Sequence, residues 1–207
     1  MVGFASCVCL IVLSAPAQAG DRLPVIEDAD MVLLQKNVGR IFDALQKLRS
    51  PFGHKETEAI KLLLNDGRKS PEISRGLQEL LDPHCLVAVS INPESRVKAA
   101  RGPAKAILKR GSEAIFLIKV VNEAGVNHAL AVSGPEIEGD SKWLKAIVHS
   151  EPPMRKTLSG EKIEYVLLRL SAPEIGKREA TLKFDVGQGT QDLGFRAEVP
   201  VLFTISK

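Results

Sequence analysis

The chain has 207 residues, 44% of them hydrophobic and 26% charged, with a net charge of +3. A globular chain of this size buries close to about 70% of its unfolded surface, so length and composition exclude a disordered tail and allow a full core. With aromatic residues at 4% and so small a charge, nothing points to nucleic acid.

Met1 to Ala19 reads as a secretory signal peptide. An apolar stretch from Val2 to Leu13 leads through Ser14, Ala15 and Pro16 to the small-x-small triplet Ala17-Gln18-Ala19, a processing site that leaves Gly20 as the new N-terminus. A membrane anchor would need roughly 20 apolar residues, and this run is shorter. Cys7 and Cys9 lie in the removed segment, so the mature chain keeps Cys85 alone and has no internal disulfide. The expected location is secreted or periplasmic, with no membrane span after cleavage.

Residues 20–26 read as a linker and 27–82 as a small helical subdomain. Leu34, Val38, Ile41, Leu45 and Leu48 recur at steps of four and three, which puts them on one face of a helix beginning near Asp28. Asp28 and Asp30 suit its positive end. Ser50-Pro51-Phe52-Gly53 interrupts, and a second helix is expected from Glu56 to Leu64. In the third, Ser70 is the N-cap, Pro71 the first helical residue, and Ile73, Leu77, Leu80 and Leu81 the stripe, with Pro83 ending it.

Residues 83–207 switch to short strands between turn residues. The expected strands are Leu86 to Ile91, Ala104 to Lys109, Ala114 to Val121, Val126 to Ser133, Trp143 to Val148, Ile163 to Ser171, Ala180 to Val186 and Phe195 to Ile205. With no helices between them, about eight strands argue for an antiparallel, immunoglobulin-like β-sandwich, and the whole chain for an α+β fold. Ile115-Phe116-Leu117-Ile118, apolar on both faces, belongs to a central strand. Pro200 suits an edge or a bulge. Leu158-Ser159-Gly160 running into Tyr165 is similar to a tyrosine corner, where the hydroxyl bonds back to the backbone, or else Tyr165 is simply half-buried. Trp143 is expected in the core.

Four stretches together carry a resemblance: Leu81 to Val87, Ile91 to Lys98, Val120 to Val126, and Arg178 to Arg196. Across residues 40 to 203 the chain resembles the N-terminal, non-catalytic region of secreted bacterial proteins with a CehA/McbA-like (PHP-type) metallohydrolase domain. The resemblance implies a secreted helical-plus-sandwich module. It does not transfer the hydrolase chemistry, because the histidines are only His54, His84, His128 and His149, with no His-x-His pair for a metal.

Asp82, His84 and Cys85 place an acid, an imidazole and a thiol together, the residue types of a nucleophilic site. Neighbours in a strand point to opposite faces, however, so His84 and Cys85 make no simple dyad and Cys85 is expected to pack as a small apolar residue. Glu136, Glu138 and Asp140 offer alternating oxygens for calcium but miss the EF-hand spacing. His149 and Glu151 are too few for a metal site. Val186 to Gln191 is glycine-rich yet runs from strand to strand, unlike a phosphate loop that opens a helix.

From Arg96 to Arg110, the residues Arg96, Lys98, Arg101, Lys105, Lys109 and Arg110 occur without an acid. A solvated sheet face explains them, with contact to an anionic partner as the functional alternative. The reading that follows is a non-enzymatic interaction or assembly module at the cell envelope, without cofactor or metal. Its candidate contact residues are Arg96, Lys98, Gln188, Gln191, Asp192 and Arg196, and its partner an envelope protein or an anionic surface polymer. The alternative makes it an accessory domain of a metallohydrolase system encoded separately or downstream.

Overall fold

A computed structural model describes residues 22–68, 70–134, 143–187 and 193–207. The signal peptide and Gly20, the acids Glu136, Glu138 and Asp140, and three candidate contact residues, Gln188, Gln191 and Asp192, lie outside the described residues. The fold is α+β, with three α-helices and two sheets among the described residues. No helix among the described residues is long and apolar enough to cross a membrane.

Helix α1 spans Met31–Lys47, α2 His54–Leu64 and α3 Pro71–Leu81. The first begins three residues later than expected, because the Asp30 carboxylate accepts from the Leu33 N–H at 3.0 Å and so fixes the cap there. Asp28 instead pairs with Lys162, far along the chain. The second begins two residues early. Its Glu56 side chain reaches back to accept the Gly53 N–H at 3.2 Å, which draws His54 and Lys55 into the first turn. Ser70 caps α3 on the Glu72 N–H at 3.3 Å, with Pro71 as its first residue.

Among the described residues nine strands follow rather than about eight: β1 Cys85–Ile91, β2 Val97–Arg101, β3 Ile107–Lys109, β4 Glu113–Asn122, β5 Ala131–Ser133, β6 Lys145–Val148, β7 Ile163–Ser171, β8 Gly176–Asp185 and β9 Arg196–Ser206. The extra strand is β2, which folds back on β1 with Ile91 opposite Val97 and Val87 opposite Arg101. The expected strand from Val126 contracts to Ala131–Ser133, since Asn122 accepts from the Val126 N–H and donates to its carbonyl, holding that stretch in a turn. One sheet runs β2-β1-β4-β7-β6 and the other β3-β9-β8-β5. The sheets are not wholly antiparallel. β1 lies parallel to β4, and β3 parallel to β9, because the chain crosses from one sheet to the other between β2 and β3.

The inner strands β1, β4 and β7 of the five-stranded sheet are covered on both faces, and alternation divides their side chains between two cores. Ile118 and Val120 of β4 meet Val166, Leu168 and Leu170 of β7, and behind them Leu182, Val199 and Phe203 of the second sheet. Leu117 of β4 and Ile163, Tyr165 and Leu167 of β7 face Leu34, Val38, Ile41, Ile60 and Leu77 of the helices. Each such side chain contributes about 1.5–3 kcal/mol on burial. β4 stands at the centre of its sheet, and Trp143 packs in the inter-sheet core edge-on to Phe203, with ring centroids 6.2 Å apart. Pro200 lies where β9 pairs with β8 alone, since β3 reaches only Thr204 to Ser206.

Candidate functional site

The basic run lies along the seam where the two sheets meet. β2 is an edge strand of one sheet and β3 of the other, with β2 packed beside β9. Arg96 does not share a strand face with Lys98. It ends a turn in which the Asn92 side-chain oxygen accepts the N–H groups of Glu94 and Arg96, and its guanidinium pairs with Glu94 at 3.3 Å in the open. Lys98 is exposed on β2 opposite Ser90. Lys105, Ile107 and Lys109 are exposed in alternation with buried Ala104, Ala106 and Leu108, so both lysines project from the outer face.

Arg101 departs from the solvated reading. Its guanidinium donates to the carbonyls of Leu86 at 2.5 Å, Gly102 at 2.8 Å and Ala104 at 2.5 Å. It therefore clasps the chain where it crosses between the sheets, and burial lowers its pKa. Arg196 is similarly committed. Its Nε donates to Asp185 at 2.9 Å, while the other Asp185 oxygen accepts the Gly187 N–H at 2.7 Å, so the pair closes the base of the β8–β9 hairpin.

The acid, imidazole and thiol at 82–85 separate. Residues 82–84 form a 3-10 turn, which sends His84 toward Glu56 at 3.2 Å and the Phe52 ring at 5.0 Å. Cys85 enters the helical core, its thiol donating to the Leu81 carbonyl at 3.6 Å. Asp82 takes partners that its sequence neighbours do not include. Its Oδ2 accepts from Lys119 Nζ at 2.9 Å and its Oδ1 from the Tyr165 hydroxyl at 2.7 Å. Lys119 and Tyr165 are directly opposed across β4 and β7, and both are buried on the helical side. Lys119 also donates to the Pro24 carbonyl at 2.8 Å. Burial raises the Asp82 pKa, against the hydrogen bonds from Lys119 and Tyr165.

Tyr165 is thus fully buried and bonds to a carboxylate, neither half-buried nor a corner to backbone. The preceding residue does the corner's work, for Glu164 accepts both the N–H and the hydroxyl of Ser159, at 2.7 and 2.9 Å. A lone lysine in the apolar run Ile115 to Val121 was the available signal for the Asp82 network, since a buried cation must find an anion. Among the described residues no group of three His, Cys, Asp or Glu side chains is placed to hold a metal ion.

No family model matches the chain, and no curated protein matches it. Among solved structures it is similar to a mutant of the SrpA adhesin from Streptococcus sanguinis, with 15% identity and a TM-score of 0.30. That match covers 48% of this chain and 53% of the other, so the chain spans about half the length of that structure.

Proposed function

We propose that the chain is a secreted, non-enzymatic interaction module of the cell envelope, built on an immunoglobulin-like sandwich, which docks an acidic protein along the β2–β3 seam. Four cations carry the reading. Lys98, Lys105, Lys109 and Arg110 are exposed on or beside two edge strands and form no ion pair among the described residues. Arg96 joins them at the rim, its charge shared with Glu94. Apolar surface accompanies the charge: Ile107, 54% exposed, stands between the two lysines, and Leu202, 58% exposed, stands two residues from the Thr204 that Ile107 faces. Cations flanking exposed aliphatic groups suit a protein surface better than a polysaccharide, and the chain's only Trp and Tyr are buried, away from any sugar.

Edge position favours a second reading, in which the lysines only guard open strands against pairing with other chains. Charge reversal separates the two, because glutamates guard an edge as well as lysines do. The probes are poly-L-glutamate and a sulfated polysaccharide. We expect the processed protein to bind poly-L-glutamate, less tightly as salt rises, since exposed charges are screened beyond about 10 Å at 0.1 M salt. Lys98→Glu, Lys105→Glu and Lys109→Glu together should abolish that binding and leave the melting temperature in place. Preference for the polysaccharide would move the partner to an anionic polymer. Binding that ignores both salt and charge reversal, or no binding at all, would overturn the reading.

A further inference from the structure

The geometry points to a covalent cross-link: we propose that Lys119 and Asp82 condense to an isopeptide bond within the folded chain, with Tyr165 as hydrogen-bond donor to the reacting carboxyl. The reaction is a single event of the chain upon itself, independent of what the seam binds.

Three features place the groups for it. Nζ and Oδ2 are 2.9 Å apart with both residues buried, so nucleophile and carboxyl are held in contact. The Tyr165 hydroxyl donates to the other oxygen, Oδ1, at 2.7 Å, the atom on which negative charge builds as the amine attacks Cγ. The Pro24 carbonyl accepts from Nζ at 2.8 Å and fixes the amine's direction.

The balance is that of a simple condensation. A proton passes from Nζ to Oδ2 along their hydrogen bond, leaving a free amine and a neutral acid, the form that burial favours at Asp82. The Nζ lone pair forms a bond to Cγ, and the C=O pair moves onto Oδ1 under the Tyr165 hydroxyl. A second proton passes from Nζ to Oδ2, the Cγ–Oδ2 bond breaks, and one water leaves as the carbonyl re-forms. One N–H remains on the new amide, aimed at Pro24. No oxidant or co-reactant is needed. Asp82 also lines a cavity of about 660 Å³ with Leu23, Val25, Pro83 and Pro103, an exit for the water.

The driving force is electrostatic. A buried ion pair is costly to desolvate, and the amide removes both charges at once. The bond would tie the end of α3 to the central strand β4 across 37 residues, in a chain whose only described cysteine is unpaired.

Mass spectrometry of the denatured, processed protein tests this directly. The expected mass is that of the sequence less one water, and a digest should contain one branched peptide joining the Asp82 and Lys119 segments. The full mass with both segments unlinked, after prolonged incubation of folded protein, would overturn the proposal. Lys119→Met and Asp82→Ala should each restore the full mass, and a water loss persisting in either would also overturn it. Tyr165→Phe should lower the linked fraction at a matched time after refolding. Should a variant fail to fold, the mass and digest of the unaltered chain still decide.

Discussion

Asn37 on α1 makes two hydrogen bonds to the backbone of Tyr165 on β7, donating from Nδ2 to the carbonyl at 3.0 Å and accepting the N–H at 2.8 Å. β6 pairs with β7 only from Leu168 to Ser171, so at Tyr165 that side of β7 has no ladder neighbour. One amide side chain stands in for a strand there. The same residue pair joins the helical layer to the sheet beneath the Lys119–Asp82–Tyr165 network.

Replacing Asn37 by Ala leaves a buried N–H and a buried carbonyl without partners, each costing about 1–3 kcal/mol. The expected loss is about 3 kcal/mol, read as a fall in the urea midpoint with an unchanged slope. Lys36→Ala, at an exposed neighbouring position, should leave the midpoint nearly where it is. Equal midpoints for the two variants would mean that packing, not these bonds, docks α1.

Asn37 also marks the limit of reading the sequence. The stripe Leu34, Val38, Ile41, Leu45 and Leu48 was legible because periodicity reports which face is apolar: the first four are buried, and Leu48, the C-cap just past the helix, packs half-buried against the same core. A polar residue on that face looks like an interruption, since its partner lies 128 residues away in sequence. Asp82 hid for the same reason, with sequence neighbours that suggested a catalytic cluster while its partners came from β4 and β7. β2 was missed because Val97 to Arg101 carries two alanines and two cations, and only pairing with β1 makes a strand of it. Parallel pairing at β1–β4 was equally invisible, since a strand's own pattern does not report its neighbour's direction.

Burial raises the Glu164 carboxyl above its ordinary 4.5, opposed by hydrogen bonds from Ser159 and by the charges of Arg155 and Arg40. A folded-state value above the unfolded one contributes stability that is fully present below the unfolded pKa and lost as pH rises through the folded value. Glu164→Gln keeps an oxygen for Ser159 but cannot ionise. The variant and the unaltered chain should melt together near about pH 4, and the variant should melt higher at about pH 7. A variant that melts lower at neutral pH would mean that attraction to the two arginines outweighs desolvation.

Cys85 should be an unreactive thiol. It is fully buried at the start of β1, and burial pushes its pKa well up, so little of the thiolate that reacts is present. A thiol reagent should modify the native protein slowly and the denatured protein fast. Rapid native labelling, or a covalent dimer without reductant, would place Cys85 at the surface.

The crossing between the sheets divides the basic run into one structural cation and several free ones. Arg101 satisfies three carbonyls with a planar fork of donors, so Arg101→Ala should cost about 3 kcal/mol or more, and Arg101→Lys most of that, because one ammonium cannot reach all three. Gly102 beside it allows no side chain. A Cβ there would stand 2.2 Å from the Cys85 carbonyl oxygen, and that oxygen already accepts the Ala104 N–H at 3.0 Å. Gly102→Ala must push the crossing away from β1, breaking the Ala104 bond and the grip of Arg101 together. It should therefore lower the melting temperature at least as much as Arg101→Ala, and the double variant should lose much less than the sum, because one clasp is broken twice. Lys98→Ala, three residues before Arg101, should leave stability unchanged. Additive losses in the double variant would show that Gly102 and Arg101 hold the crossing independently.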